Sequence, residues 1–440
     1  MVPNTLPEVN IFWFRRDLRL DDNAGLYRAL SAGKPVVPIF VFDKNILDLL
    51  EDRKDPRVEF IHQAVTSLSQ QLSEWGAAIE VHHGRPTEIF AQLNSTYSIG
   101  AVYANHDSDP YAIERDLAIN KELEAQGIRF ITFKDHVVLE GSEVVKDDGN
   151  PYTVFTPYSR KWKTLLKSSD LDPYPSMHQV KAYYKQDQPP IPSLQKMGFK
   201  AVGMEFPKKE VQDDLIRKYG ELRDYPALPA TSRLGVHLRF GTISIRALCR
   251  RVMTLSETYL NELIWREFYH MILFQFPRVG KGYCFKSDYE NIKWRNNEEE
   301  FERWMNGTTG YPIVDAGMRE LLESGHMHNR VRMITASFLT KHLLIDWRWG
   351  EAHFARKLLD FDLASNNGGW QWAAGCGCDA APYFRVFNPY LQTDKFDPER
   401  RYINRWVSDV GNSSYPQPIV EHAFARARCL ETYASALKKS

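Results

Sequence analysis

Between Leu359 and Trp372 the chain places Asp360, Asp362, Asn366, Asn367, Gly368, Gly369, Trp370 and Trp372. Two acids, two amides, two glycines and two tryptophans in one short run are hard to explain as core packing. Glycine lets a backbone approach a ligand closely, and an asparagine such as Asn366 offers both a donor and an acceptor. A second segment, 260–269, puts Glu262, Trp265, Arg266 and Tyr269 at i, i+3, i+4 and i+7, which is one helix face. A carboxylate, an indole and a guanidinium together suit a flat polar ring beside a phosphate. Taken alone, the same residues also describe a surface ion pair beside a core-edge tryptophan. In a third segment, 326–333, Asn329, Arg332 and Met333 share a face, with Arg330 turned to one side. Guanidinium forks match phosphate oxygens. His326 and His328 stand at i, i+2 with no carboxylate or thiolate partner evident nearby, so no metal is expected.

Residues 9–135 alternate short apolar runs (9–14, 35–42, 78–83, 99–105 and 129–134) with helix-like spacing such as Val58, Ile61, Val65, Leu68 and Leu72. Strands separated by helices predict an α/β, Rossmann-like parallel sheet with right-handed crossovers. The turn after the first strand, Arg15 to Leu20, has no G-x-G-x-x-G, so a dinucleotide is not expected there. Prolines 173, 175, 189, 190 and 192 mark a connection, and Asn150 to Tyr158 is expected to pack back on the first domain. Beyond it the periodicity is helical. The expected organisation is 1–137 α/β, 138–204 connection and 205–440 all-α.

Of 11 tryptophans, eight lie in the second half, each individually consistent with core packing. Lysine plus arginine balances aspartate plus glutamate, 56 against 56, which excludes a uniformly basic nucleic-acid binder but not a local basic groove. Five scattered cysteines make neither a disulfide framework nor a four-thiolate site, and read as reduced thiols. The N-terminus, MVPNTLPEVN, has no signal-peptide pattern, and no apolar run reaches membrane-spanning length. A cytoplasmic monomer without membrane attachment is expected.

These blocks resemble the photolyase–cryptochrome family. The likeness runs from Phe12-Trp13-Phe14-Arg15-Arg16-Asp17-Leu18-Arg19 through Thr231-Ser232-Arg233-Leu234 and Thr309-Gly310-Tyr311-Pro312. It continues through the three segments above and Asp379-Ala380-Ala381-Pro382-Tyr383-Phe384-Arg385 to Arg405-Trp406. The resemblance is greatest to the class I branch that repairs cyclobutane pyrimidine dimers. It implies an antenna domain followed by a helical domain holding FAD. By that resemblance Tyr219, Thr231, Ser232, Arg233, Leu234 and Gly235 would meet the phosphates and ribityl chain, and Tyr259 the adenine. Asp360, Phe361, Asp362 and Arg332 would lie along the flavin, with Asn366 facing N5. Trp370, Trp347 and Trp294 match an electron-transfer chain.

The resemblance also implies that UV-damaged DNA is the partner and that Glu262, Trp265, Asn329, Met333 and Trp372 face a flipped-out dimer. Glu262 would act as a protonated carboxyl if well buried. Arg223, Arg266, Arg330, Arg385, Gln392 and Lys395, with Glu262, Trp265 and Asn329, would contact the DNA. A second chromophore (deazaflavin, flavin or methenyltetrahydrofolate) is possible. Folate-binding relatives carry a carboxylate where this chain has Ala112, and the stretch 105–115 resembles deazaflavin binders more. The alternatives are a light-signalling cryptochrome without repair activity and a (6-4) photolyase. Plant cryptochromes have an aspartate at the place of Asn366, and others often have long tails where this chain stops at Ser440. The (6-4) enzymes have histidines where Asn329 and Met333 stand.

Overall fold

The computed structural model describes residues 6–438; the first five residues of the N-terminal stretch, and Ser440, lie outside them. Five parallel strands, β1 (Glu8–Phe14), β2 (Val36–Asp43), β3 (Glu80–Gly84), β4 (Ser98–Asn105) and β5 (Arg129–Phe133), form one sheet in the order β3-β2-β1-β4-β5. Phe12 on the central strand pairs with Pro38 on one side and Tyr103 on the other. Every residue of β2 is buried, as are Val9 to Phe14 of β1. Strands covered on both faces read as continuous apolar runs, which is why they were visible in the sequence. In one crossover helix a cap and a proline coincide at the start. Asp55 accepts from the backbone of Arg57, and Pro56 opens the helix Pro56–Ser73.

The chain forms two compact units: 1–140 with 166–210 and 233–254, and 141–165 with 211–232 and 255–440. This division departs from the linear expectation of 1–137, 138–204 and 205–440. Residues 233–254 join the sheet unit through a buried ionic network. Arg246 reaches Asp135 at 2.8 Å and Asp22 at 2.9 Å, and Arg19 reaches Asp135 at 2.7 Å. Burial pushes the Asp135 carboxyl up, but Arg19 and Arg246 outweigh it and hold it below the usual carboxylate range. Gly241 (φ +61°) passes so close to the turn after β1 that a Cβ there would lie 2.1 Å from the Arg16 carbonyl.

The segment 150–158 belongs to the helical unit, not to the sheet unit as expected. Phe155 stacks on Trp265 with centroids 3.8 Å apart, and Trp162 Nε1 donates to Glu267 at 2.6 Å. The core of this unit gathers Trp304, Trp347, Trp370, Phe338, Phe354 and their neighbours. No helix among the described residues is long and apolar enough to cross a membrane.

Candidate functional site

Three helices of the helical unit begin next to the residues singled out by the sequence. Ser256 caps Glu257–Gln275, which carries Tyr259, Glu262, Trp265 and Arg266. His328 caps Asn329–Ser337 by accepting from the Arg330 N–H at 3.2 Å. Asp362 caps Leu363–Ala374, which carries Asn366, Trp370 and Trp372 and ends at Gly375 in the left-handed conformation. Capping fixes where each helix begins, and so where these side chains stand.

On Glu257–Gln275 the residues Leu263, Ile264, Glu267 and Phe268 are buried, while Glu262, Trp265, Arg266 and Tyr269 form the half-buried side. Glu262 pairs with Arg223, whose guanidinium lies over the Tyr219 ring at 5.9 Å. Tyr219 meets Tyr259 edge-on at 4.9 Å, and Tyr259 Oη donates to Ser232 Oγ at 2.7 Å. One continuous chain of contacts thus joins expected DNA-facing and cofactor-facing residues. Burial raises the Glu262 carboxyl above its ordinary value, with Arg223 opposing but not cancelling that push. Trp265 has one face covered by Phe155, so that face is not offered to a ligand. Phe155, 110 residues away in sequence, gave no periodic signal linking it to this site.

Arg330 pairs with Asp224 at 2.7 Å and lies over Phe396 at 4.3 Å, with its Nη1 3.7 Å from Met333 Sδ. Asn329 is exposed, and Met333 and Trp372 are half-buried. Arg385 and Lys395 are exposed, Gln392 is half-buried, and the two cations lie over Phe387 and Phe396 respectively. The histidines differ from expectation, because a carboxylate partner exists. His326 Nδ1 lies 3.3 Å from Glu320 Oε1, and the His328 N–H donates to Glu320 Oε2 at 3.2 Å. Glu320 lies in the preceding helix, Pro312–Ser324, and the helix reversal brings it back.

Arg332 donates to Asp360 at 2.9 and 3.1 Å. Burial pushes Asp360 up, but Arg332 overrides it and keeps the carboxyl low. His270 Nε2 lies 3.5 Å from Asp362, and Phe361 is half-buried beside it. Asn366 Nδ2 donates to the Glu351 carbonyl at 3.1 Å. The glycine pair divides its work: a Cβ on Gly368 would lie 2.2 Å from Tyr269, whereas one on Gly369 would meet nothing within 4 Å. Gly368 therefore serves protein packing and not ligand approach, contrary to the sequence reading, while Gly369 faces open space.

These residues fit FAD. Asn261 Oδ1, between Tyr259 and Glu262, is buried with no hydrogen-bond partner among the described residues. A lone buried acceptor costs about 1–3 kcal/mol unless a ligand or water supplies a donor. That acceptor, the Arg332–Asp360 pair, Asp362, Asn366 and the open space at Gly369 provide what a flat ring with an imide edge requires. Asn261 was missed because a single asparagine on a helix has no sequence signature. Of the expected phosphate-contacting run, Thr231 and Ser232 lie in the helical unit; Arg233 (φ +54°), Leu234 and Gly235 fall in the sheet unit. In the sheet unit Ala112 is buried and Glu114 exposed, and Arg15, Arg16, Asp17, Asn105, His106, Asp107, Asp135 and His136 line a small polar cavity.

Trp347 and Trp370 belong to the buried core cluster, and Trp294 packs against it. A Cβ on Gly350 would lie 2.1 Å from the Trp370 ring, so this glycine is what seats Trp370 against the helix that begins at Trp347.

Two family models match the chain: "DNA photolyase" over residues 10–178 and "FAD binding domain of DNA photolyase" over residues 259–413. The deoxyribodipyrimidine photo-lyase of Agrobacterium fabrum is 36% identical, across 97% of this chain and 98% of its own. That of Escherichia coli is 34% identical, across 98% and 99%. Among solved structures, a bacterial class III photolyase from Agrobacterium tumefaciens matches with a TM-score of 0.84 at 33% identity, covering 100% of this chain and 99% of that one. A cryptochrome from Synechocystis, 23% identical with a TM-score of 0.83 over 98% of this chain and 100% of its own, shares the fold. Identity of this level along nearly the whole of both chains shows that this chain belongs to the photolyase–cryptochrome family.

Proposed function

We propose that the chain is a light-driven DNA repair enzyme, a deoxyribodipyrimidine photo-lyase that splits cyclobutane pyrimidine dimers. The observation that carries this reading is the half-open acidic and aromatic face of Glu257–Gln275, packed through Tyr269 and Gly368 against the helix that presents Asn366 and Trp372. A lesion pocket and a flavin site thereby share one helical unit. Reduced FAD, when bound and illuminated, supplies the electron that opens the dimer.

The remaining tasks fall to the chain's own residues. The other face of Trp265 and the ring of Trp372 take the apolar faces of the dimer, with Met333 beside them. Asn329 meets a polar edge. Glu262, its carboxyl raised by burial against the opposing pull of Arg223, stabilises by hydrogen bonding the charge that develops on a dimer carbonyl. Extrusion of the dimer costs less than for an intact step because the damaged step stacks poorly. Arg223, Arg266, Arg330, Arg385, Gln392 and Lys395 form the phosphate-contacting set, which supplies the local basic groove left open by a net charge of zero. Within the helical unit Tyr219, Thr231, Ser232, Tyr259, Arg332, Asp360, Phe361, Asp362 and Asn366 hold FAD. Trp370, Trp347 and Trp294 restore its reduced state. The sheet unit is the antenna domain, and the protein acts as a cytoplasmic monomer.

The test illuminates the purified reduced protein with DNA carrying either a cyclobutane dimer or a (6-4) product. Light-dependent loss of the cyclobutane dimer alone is expected. Loss of only the (6-4) product overturns the substrate, and binding with no repair of either lesion favours the signalling alternative.

A further inference from the structure

Two of the five cysteines stand together. Cys284 and Cys376, both free and both 1% exposed, belong to one buried cluster of the helical unit, where the Cys376 thiol lies against the Cys284 sulfur. Hydrogen bonds fix the two segments to each other. The Lys286 N–H donates to the Cys376 carbonyl at 2.8 Å. Gln371 Oε1 accepts from the Phe285 N–H at 2.8 Å and lies 3.8 Å from Cys376 Sγ, while Gln371 Nε2 donates to the Tyr283 carbonyl at 3.1 Å. The segment 283–286 is thereby stitched to the end of Leu363–Ala374, the helix that carries Asn366, Trp370 and Trp372. We propose that Cys284 and Cys376 form a reversible dithiol–disulfide site, oxidised by a hydroperoxide and restored by a small thiol.

The two sulfurs differ as an attacking and a resolving thiol must. Hydrogen bonding from Cys376 does most to lower the Cys284 pKa; burial and Glu290 oppose it, while the Trp347 indole and the Arg348 guanidinium, whose Nη2 lies 3.9 Å from Sγ, add to the lowering. Burial, and then the same contact, raises Cys376, so it keeps its proton until Cys284 has reacted. Burial raises Cys378 to about 12 and Cys429 to about 11, which leaves both as inert thiols. Cys284 is buried, but the loop around it is not. Tyr283 is 56% exposed, Lys286 and Ser287 are exposed, and the regular structure there is two short 3-10 turns, Val279–Lys281 and Ser287–Asn291. A segment of this kind opens locally at low cost, and hydrogen peroxide is small and uncharged.

The chemistry balances in two steps. The Cys284 thiolate attacks one oxygen of hydrogen peroxide, the O–O bond breaks, and the departing hydroxide takes the proton that Cys284 gave up and leaves as water. Cys284 is then a sulfenic acid. The Cys376 sulfur attacks the Cys284 sulfur, the S–O bond breaks, and the second hydroxide leaves as water with the Cys376 proton. Two thiols have lost two electrons and one peroxide has become two waters. A small dithiol reverses the change by thiol–disulfide exchange and is itself oxidised to a disulfide.

The experiment exposes the folded, FAD-bound protein to hydrogen peroxide, then quenches, unfolds, counts thiols and maps peptides without reductant. Free thiols should fall from five to three, with Cys284 joined to Cys376, and dithiothreitol should return the count to five. Oxidation should raise the thermal midpoint by about 5–10 °C. It should also slow hydrogen exchange at Gly375 and Gly377, whose N–H groups donate to the Gln371 carbonyl. Cys376→Ser should trap Cys284 as a sulfenic acid that a cyclic dione labels, whereas Cys284→Ser should leave Cys376 unreacted. The wild-type thiol count and peptide map decide the matter even if either variant folds poorly. Five thiols after exposure overturn the proposal, as does oxidation of Cys378 or Cys429 ahead of the pair. So does a disulfide that forms only after denaturant has unfolded the chain.

Discussion

Replacing Gly350 by alanine should destabilise the helical unit although alanine is the better helix former. The added Cβ would lie 2.1 and 2.4 Å from Cη2 and Cζ3 of Trp370 and 2.6 Å from Cδ2 of Leu339. Carbon atoms rest at about 3.5–4.0 Å, so the ring must retreat by more than ~1 Å. Trp370 is 2% exposed and Leu339 0%, which leaves no solvent-facing space for that movement. Overpacking of this kind costs about 1–3 kcal/mol, and exchanging glycine for alanine within a helix returns up to about 1 kcal/mol. The net loss expected is about 1–2 kcal/mol. Gly220→Ala is the matched comparison: its Cβ would meet the Thr258 side chain, tightly only at the hydroxyl (3.1 Å), which can rotate away, and at ordinary contact distance at Thr258 Cβ (3.6 Å). That variant should be neutral or gain up to about 1 kcal/mol. Urea unfolding of both variants gives the difference, and light-driven reduction of the flavin should slow in Gly350→Ala alone because Trp370 has moved. Equal stability of the two, with normal photoreduction, refutes the argument that Gly350 seats Trp370.

Three further outcomes are expected. Asp135→Asn leaves Arg19 and Arg246 without their shared buried carboxylate and should cost about 3–5 kcal/mol in urea unfolding; a change within experimental scatter would mean that the network does not hold 233–254 to the sheet unit. Burial lowers His328 and His353 to about 4 and His342 to about 3. Folded-state pKa values below the unfolded value of about 6.5 mean that the unfolded chain binds more protons. Stability is then complete above that value and is lost as pH falls toward 4, by up to about 3 kcal/mol for each histidine. A flat stability profile from pH 7 to 4 contradicts this, and His353→Gln should make the slope shallower. Gly369→Ala, which fills the open space beside Asn366, should lower the FAD content of purified protein, read from the visible absorbance per chain; full FAD occupancy would show that the flavin does not use that space.

The sheet was legible because its strands are buried on both faces and announce themselves as apolar runs. β1, β2, β4 and β5 fall within a residue or so of their expected limits, and β3 starts two residues late. The partition of the chain was not legible. Arg246 meets Asp22 and Asp135 across 224 and 111 residues, and no periodic pattern reports a pair at that separation. Phe155 on Trp265 is the same case, and it removes one face of an indole that sequence alone offers whole. On the site helices, spacing correctly placed Glu262, Trp265, Arg266 and Tyr269 on one half-buried side, because a helix has only one periodicity to obey. Spacing could not distinguish Gly368, needed by Tyr269, from Gly369, which faces open space. That difference depends on a neighbouring helix. The Glu320 partner of His326 and His328 was missed for the same reason.

The most direct test of the account is a single-turnover flash experiment on the fully reduced protein bound to an oligonucleotide with one thymine dimer. The account predicts that dimers are split only after the flash, that the flavin ends as reduced as it began, and that Glu262→Ala lowers the yield about tenfold or more while FAD stays bound. Dimer bound tightly but intact after repeated flashes, with the flavin still reduced, would contradict it.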